Sequence, residues 1–195
     1  LGTVRGERGD FYTQEYEYGI KGQKILPHKW ESCRGVGTSF GYNRQEGPGD
    51  YSSTADLVTK LIDTVSKNGN LLLNVGPKAD GVIPQVQRER LRGIGRWLDV
   101  NGAAIFGTRP WETYGEDGVR FTSKGDRVYA ICLDWPGRKA RIGSLGIESD
   151  TAPGTVSSVR MLGSDEKLSW SQETDRLVVE TPDSRPCRHA FTFEV

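Results

Sequence analysis

Two glutamates, Glu15 and Glu31, are the residues of this chain best suited to acid–base chemistry. Both lie between Gly9 and Gly49, a stretch rich in aromatic residues and glycines. A carboxyl group can give a proton to a reacting oxygen or take one from water. Aromatic rings next to such a group can pack against the apolar face of a sugar. The combination favours an enzyme that grips a sugar ring and protonates a glycosidic oxygen.

The first elements that must position these glutamates are a strand, a loop and a helix. Residues 29–32 are typical of a short strand, and residues 35–41 of a glycine-rich loop that follows it. Apolar residues between positions 57 and 65 then recur at helical spacing. Ser53 or Thr54 offers an N-cap for that helix.

A second strand and a second helix follow. The continuous apolar run 70–75 predicts a buried parallel strand. Pro84 suits the start of a helix, whose apolar stripe ends near Asn101. Alternating strands and helices predict a βα barrel or a doubly wound sheet, in which functional groups lie at the carboxyl ends of the strands. That position suits both Glu31 and Asn74.

From about Thr108 onward the pattern changes to short β-rich segments separated by turn signals. We therefore expect an antiparallel β-sandwich over residues 108–195, after an α/β part over residues 1–107. The predicted strands are 119–122, 128–133, 140–142, 156–161, 168–170, 177–179 and 190–195.

Composition and charge exclude several classes of partner. The 195 residues carry 26 basic and 26 acidic side chains, with no basic cluster, so we expect no nucleic-acid partner. The densest apolar run, Leu71 to Val75, is much shorter than the roughly 20 residues of a membrane span, so we expect no membrane partner. Cys33, Cys132 and Cys187 are widely spaced and odd in number, which favours neither a metal site nor a disulfide framework.

Four segments occur in an order that resembles the α-L-fucosidases of glycoside hydrolase family 29. The resemblance implies the C-terminal part of a (β/α)8-type barrel over residues 1–107, followed by a C-terminal antiparallel β-sandwich. The segments are GDFYTQE at 9–15, HKWESCRGVGTSFGYNRQEGPGD at 28–50, VSKNGNLLLNVGPKADGVIP at 65–84 and RLRGIGRWLDVNGAAIFGTRPW at 90–111.

The resemblance implies an activity and a substrate. Members of this family hydrolyse terminal α-L-fucosyl linkages with retention of configuration, through a covalent fucosyl-enzyme and without a metal or other cofactor. The implied substrate is a fucosylated oligosaccharide or glycoconjugate. The implied compartment is periplasmic, secreted or lysosomal.

The resemblance also implies roles for particular residues. Glu15 matches the acid/base position of bacterial members, and Glu31 matches a carboxylate that competes for this role or supports it. We prefer Glu15, because the whole D-F-x-T-x-E pattern is present. Phe40 matches an aromatic residue that packs against the fucose methyl group. Trp30 is a further candidate for substrate contact, although both aromatic residues would by default belong to a core.

The implied nucleophile, an aspartate of an earlier barrel strand, is expected upstream of this chain, so the chain is expected to be an incomplete enzyme. An alternative function is a non-catalytic fragment whose sandwich binds glycan or a partner subunit. Trp111, Trp135 and Trp170 are candidate stacking faces for that function. Because a partial barrel exposes strand edges and apolar helix faces, we also expect poor solubility or homo-oligomers.

Overall fold

A computed structural model describes residues 11–16, 24–151 and 154–195. Gly9 and Asp10, which begin the first family motif, lie outside these ranges. The chain divides into two compact units, Leu1–Arg96 and Trp97–Val195. This division falls within the second helix, and the domain boundary expected after residue 107 stays a prediction.

The first unit is built on a parallel three-stranded sheet with the order β1-β2-β3. The parallel strand predicted from residues 70–75 is confirmed and lies one residue earlier, but the prediction that it is buried was wrong, because only one face of the sheet is covered and Leu72 on the other face is 48% exposed. The elements are β1 (Tyr12–Glu15), β2 (Trp30–Gly35), a 3-10 turn (Pro48–Asp50), α1 (Thr54–Ser66), β3 (Gly69–Asn74) and α2 (Gln85–Asn101).

Local signals fix both ends of α1. The Ser53 side chain accepts a hydrogen bond from the Asp56 amide at 3.1 Å, and the Asp56 carboxylate accepts one from the Ser53 amide at 3.1 Å. This reciprocal capping box satisfies two amides that the first helical turn leaves unpaired. At the other end Asn68 adopts a left-handed conformation with φ 73°, which ends the helix before β3.

The two faces of the parallel sheet differ in exposure. Residues in register on neighbouring strands point to the same face, and successive residues alternate between faces. One face holds Trp30, Ser32 and Arg34, which are 1%, 2% and 8% exposed. Helix α1 covers this face, since a Cβ on Gly69 would contact both the Trp30 ring and the Thr64 side chain. The opposite face is open, and it holds Thr13, Glu15, Glu31, Cys33, Asn70 and Leu72.

The second unit contains two antiparallel sheets. One is five-stranded, with the order β4-β5-β6-β11-β8, and the other is three-stranded, with the order β7-β10-β9. Both sheets contribute to a single apolar core that includes Phe121, Ile142, Leu177 and Phe193, each 0% exposed. The strands are β4 (Arg109–Glu116), β5 (Val119–Lys124), β6 (Arg127–Cys132), β7 (Lys139–Ile142), β8 (Arg160–Met161), β9 (Trp170–Gln172), β10 (Leu177–Glu180) and β11 (Phe191–Glu194).

Two predictions for this unit were wrong in detail. Strand β4 was missed, because its pairing with β5 shifts register between Pro110 and Gly115 and its sequence does not alternate cleanly. The strand predicted over residues 156–161 is shortened to its last two residues. The Val156 amide donates to the Gln172 side chain at 3.0 Å instead of to a neighbouring strand.

All three cysteines of the chain lie in the described ranges. Cys33, Cys132 and Cys187 are all free thiols. Burial raises the pKa of the Cys132 thiol to about 12, so this thiol stays protonated and acts as a small apolar group.

Neither helix described here is long and apolar enough to cross a membrane.

Candidate active site

The candidate site lies at the carboxyl edge of the parallel sheet. The register places Glu15 beside Cys33, and Gly35 beside Asn74, so the three strands end along the same edge. The segment after β2, residues 36–51, is called the Phe40 loop below. Carboxyl edges of parallel sheets are where α/β enzymes gather functional groups, because the connecting loops meet there.

The two candidate glutamates share the open face of the sheet. Glu31 lies opposite Thr13, and Glu15 lies opposite Cys33, so Glu15 is one same-face position nearer the carboxyl edge. With neighbouring strands about 4.8 Å apart and a rise of about 3.3 Å per residue, such diagonal positions are about 8 Å apart between Cα atoms. Burial raises the pKa of the Cys33 thiol, and the negative charges of Glu15 and Glu31 raise it further. Both carboxylates therefore act on one small region.

Phe40 is brought close to the end of β1 through Tyr16. The rings of Tyr16 and Phe40 meet edge to face, with 4.5 Å between centroids. Tyr16 directly follows Glu15 and has φ 50°, so the chain turns sharply where it leaves the strand. Gly35 permits this packing, because a Cβ there would lie 2.4 Å from the Ser39 carbonyl oxygen and 2.9 Å from the Tyr16 hydroxyl. Phe40 thus packs against the residue next to Glu15.

The end of β3 holds the Phe40 loop in place. The Asn74 side chain donates a hydrogen bond to the Phe40 carbonyl oxygen. Gly76 allows close backbone approach, since a Cβ there would lie 2.4 Å from the Tyr42 nitrogen. The Gly76 amide donates to Gln87 Oε1 at 2.9 Å, and Gln87 is 3% exposed. Sequence reasoning missed Gln87 because only apolar residues were used to trace the buried stripe of α2; the available signal was its position seven residues before Ile94 on that stripe.

Glu46 is a second residue that sequence reasoning missed. Its carboxylate accepts hydrogen bonds from Thr38 Oγ1 at 2.6 Å and from the Ser39 amide at 2.8 Å. The Tyr51 hydroxyl is a further partner. Burial raises the pKa of Glu46, but these hydrogen bonds outweigh it and leave the pKa below its ordinary value. The sequence signal that could have identified Glu46 is an acidic residue within a loop that contains several hydroxyl side chains.

Trp30 lies on the covered face of the sheet and not on the open one. Its ring is 1% exposed, and its Nε1 donates to the Lys67 carbonyl oxygen at 2.9 Å. A Cβ on Gly69 would overlap this ring at 2.4 Å. The geometry favours a packing role for Trp30, and the sugar contact expected for it stays a prediction.

The three tryptophans of the alternative, glycan-binding function pack against the core of the second unit. Trp111, Trp135 and Trp170 are each partly buried there. The Trp135 ring contacts Phe191 edge to face, with 4.9 Å between centroids, and the Arg185 guanidinium lies 5.3 Å from its centroid. Partners on this ring leave it less free to stack on a sugar.

Two family models match the chain in sequence. One, described as alpha-L-fucosidase, matches residues 2–103, and the other, described as the alpha-L-fucosidase C-terminal domain, matches residues 113–195. The chain belongs to the α-L-fucosidase family. The fucosidase match contains the parallel sheet, both glutamates and the Phe40 loop. The C-terminal-domain match covers most of the all-β unit.

Known fucosidases are similar to this chain over almost all of its length. The tissue alpha-L-fucosidase of Homo sapiens is 38% identical over 196 residues, which cover 96% of this chain and 41% of that protein. The plasma alpha-L-fucosidase of Rattus norvegicus is 39% identical, over 96% of this chain and 42% of that protein. A crystal structure of Thermotoga maritima alpha-fucosidase superposes with a TM-score of 0.80 at 40% identity, over 97% of this chain and 43% of that one. The chain therefore spans about two fifths of the length of the fucosidases it matches.

Proposed function

We propose that this chain is the C-terminal part of a retaining α-L-fucosidase, in which Glu15 is the general acid/base. The observation that carries the proposal is the position of Glu15 at the carboxyl edge of the parallel sheet. There its neighbour Tyr16 packs against Phe40, in a chain of the fucosidase family. In this proposal Glu15 is the proton donor, and Phe40 is an apolar wall for the methyl group of a 6-deoxy sugar.

The open face of the parallel sheet supports a barrel assignment. Strands of a (β/α)8 barrel carry helices on the outside and turn their other face to the interior, where further strands cover it. The covered and open faces of this sheet fit that division. Leu72 on the open face is 48% exposed, as expected of an interior residue whose covering strands belong to another part of the barrel. The all-β unit is proposed to be the β-sandwich that follows the barrel.

The proposed reaction proceeds by two displacements. In the first, a carboxylate attacks the anomeric carbon while protonated Glu15 donates to the glycosidic oxygen, so the C–O bond breaks and the aglycone leaves as an alcohol. In the second, the Glu15 carboxylate takes a proton from water, the water oxygen bonds to the anomeric carbon, and the first carboxylate leaves. We assign that nucleophile to an aspartate in the part of the relatives that this chain does not span. The two carboxyl groups of such a site lie about 5–5.5 Å apart.

The proposed substrate follows from the wall formed by Phe40. Fucose is a 6-deoxy sugar, and burying its methyl group against an aromatic ring contributes about 0.8 kcal/mol. The similar Thermotoga maritima alpha-fucosidase has been crystallised with fucose. A terminal α-L-fucosyl group on a glycan or glycoconjugate is accordingly the proposed substrate, and no metal or other cofactor is assigned to the reaction.

The test is hydrolysis, by the full polypeptide that the gene encodes, of an aryl α-L-fucoside whose leaving group is poor and needs a proton. NMR of the first-formed fucose should show the α anomer, and Glu15→Gln should lower kcat/KM by about 10²–10⁴-fold. Glu31→Gln should lower kcat/KM by a smaller factor than Glu15→Gln does. Glu89→Gln is the matched control, because Glu89 is an exposed residue of α2 whose carboxylate accepts a hydrogen bond from its helix neighbour Gln85. A β-configured first product, or full activity of Glu15→Gln, would contradict the proposal.

A further inference from the structure

The Phe40 loop is closed at its base. The Val36 amide donates to the Asn74 carbonyl oxygen at 3.0 Å, and the Ser52 amide donates to the Val36 carbonyl oxygen at 3.0 Å. Val36 and Tyr51, at the two ends of the loop, are 1% and 8% exposed. With its ends fixed in this way, the position of Phe40 depends on contacts inside the loop and on the contacts that Asn74 and Tyr16 make with Phe40.

Inside the loop, one carboxylate supplies two hydrogen bonds that reach across Phe40. Glu46 follows Phe40 in the chain, yet it accepts hydrogen bonds from Thr38 and Ser39, which precede Phe40. The backbone runs directly against this carboxylate, since a Cβ on Gly37 would lie 2.8 Å from Glu46 Oε2. Glu46 therefore ties the two arms of the loop together on either side of Phe40.

Glu46 also connects the loop to the helical layer. The buried Tyr51 side chain hydrogen-bonds both Glu46 and Gln87 of α2. Gln87 in turn accepts from the Gly76 amide, next to the contact between Gly76 and Tyr42. A carboxylate suits this position because it is an acceptor with several lone pairs facing several donors.

We propose that Glu46 is a positioning residue that holds Phe40 where its ring selects the methyl group of the sugar. The proposal rests on the proposed function. Glu46 acts through the loop, by way of Thr38 and Ser39, and does not itself touch the substrate. Loss of its hydrogen bonds lets Phe40 move away from Tyr16, and the site then loses its preference for a 6-deoxy sugar before it loses its ability to cleave a glycosidic bond.

The test compares two substrates in the full polypeptide that the gene encodes. One is an aryl α-L-fucoside, and the other is the aryl pentopyranoside with the same ring hydroxyls and no methyl group. The wild-type protein should prefer the fucoside by about fourfold or more in kcat/KM, the effect of one buried carbon. Glu46→Ala and Phe40→Ala should each bring this ratio close to one, Glu46→Gln should give an intermediate ratio, and Glu89→Gln should leave the ratio unchanged. An equal loss on both substrates, with the ratio intact, would overturn the proposal.

A second measurement tests the loop without relying on catalysis. Amide hydrogen exchange resolved at single residues should show the Ser39 amide exchanging at least about tenfold faster in Glu46→Ala, with the amides of α1 unchanged. Unchanged exchange at Ser39 would overturn the role of Glu46 in the loop. A wild-type protein that cleaves no fucoside would remove the proposed function and the selectivity claim together, and the exchange result would still decide whether Glu46 holds the loop.

Discussion

The two units of the chain differ in how their sheets are covered. In the all-β unit, side chains from both antiparallel sheets fill one core, so each sheet has its apolar face buried by the other. In the first unit, helices cover one face of the parallel sheet, and the opposite face keeps Glu15, Glu31 and the half-exposed Leu72. The all-β unit buries the apolar faces of both its sheets in this core, whereas the parallel sheet keeps one face open. The candidate acid–base groups accordingly belong to the parallel sheet.

Truncation of one apolar side chain in each unit is the strongest way to break this comparison. Phe193→Ala should lower the free energy of unfolding by about 3–5 kcal/mol, because Phe193 is 0% exposed in the closed core. Leu72→Ala should cost less than about 1 kcal/mol in this chain, because Leu72 is already 48% exposed. Urea denaturation measures both values. Comparable losses would mean that the open face is not open in solution.

Substitution of a glycine at the carboxyl edge of the parallel sheet should cause the next largest loss of stability. Gly76→Ala should destabilise the first unit by about 1–3 kcal/mol, because the added methyl group meets the Tyr42 backbone. It should also weaken fucoside cleavage by moving the Phe40 loop. Gly49→Ala is the matched control, since a Cβ there meets nothing within 4 Å, and it should stay within about 0.5 kcal/mol of wild type. Thermal unfolding and kcat/KM together check this prediction, and an unaffected Gly76→Ala would refute it.

An ion pair in the all-β unit predicts a pH dependence. Arg160 donates two hydrogen bonds to Glu194, at 2.8 and 2.9 Å, and holds the pKa of Glu194 below its ordinary value of 4.5. Because the folded-state pKa is lowered, this stabilisation is present above pH 4.5 and is lost as the pH falls through the folded-state pKa. Glu194→Gln should cost about 1–2 kcal/mol at pH 7 and progressively less at acid pH. Urea denaturation between pH 7 and pH 3 tests this prediction. A loss of unfolding free energy that does not change with pH would contradict the stabilising role of the ion pair.

The smallest effect concerns the start of α1. Ser53→Ala should cost about 1 kcal/mol, because it removes the acceptor for the Asp56 amide. Ser53→Thr keeps the hydroxyl and should recover most of the loss. Since the cap belongs to the first unit, the unfolding midpoint of the all-β unit should not change. A shift of both units by the same amount would show that they unfold as one.

The sequence predicted those parts of the fold whose signals are local. The N-cap of α1 was expected at Ser53 or Thr54 and lies at Ser53, and the helix and the strand after it were predicted from apolar patterns that neighbouring residues determine. Most of the β-rich segments were recognised for the same reason. Strand β4 was not, because a bulge interrupts its alternation. Glu46 was missed as well, since its importance lies in hydrogen bonds that only the folded loop brings together.

The sequence predicted the candidate acidic residues of the site, but not the residues that hold the Phe40 loop in place. Glu15, Glu31 and Phe40 were found from motif order, and the structure brings the two glutamates onto one face, with Phe40 reached through Tyr16. Trp30 was named for the same motif and lies on the covered face, because alternation along β2 turns it away from Glu31. Motif order identifies residues, and strand register decides which of them face the site.

The leaving-group dependence of kcat/KM tests the central claim most directly. In the full polypeptide, Glu15→Ala should barely slow aryl α-L-fucosides whose leaving groups need no proton, and should slow those with poor leaving groups by about 10²–10⁴-fold. Glu31→Ala should slow both kinds of substrate by the same factor. The opposite pattern, steep for Glu31→Ala and flat for Glu15→Ala, would show that the proton comes from Glu31 and that the assignment of Glu15 is wrong.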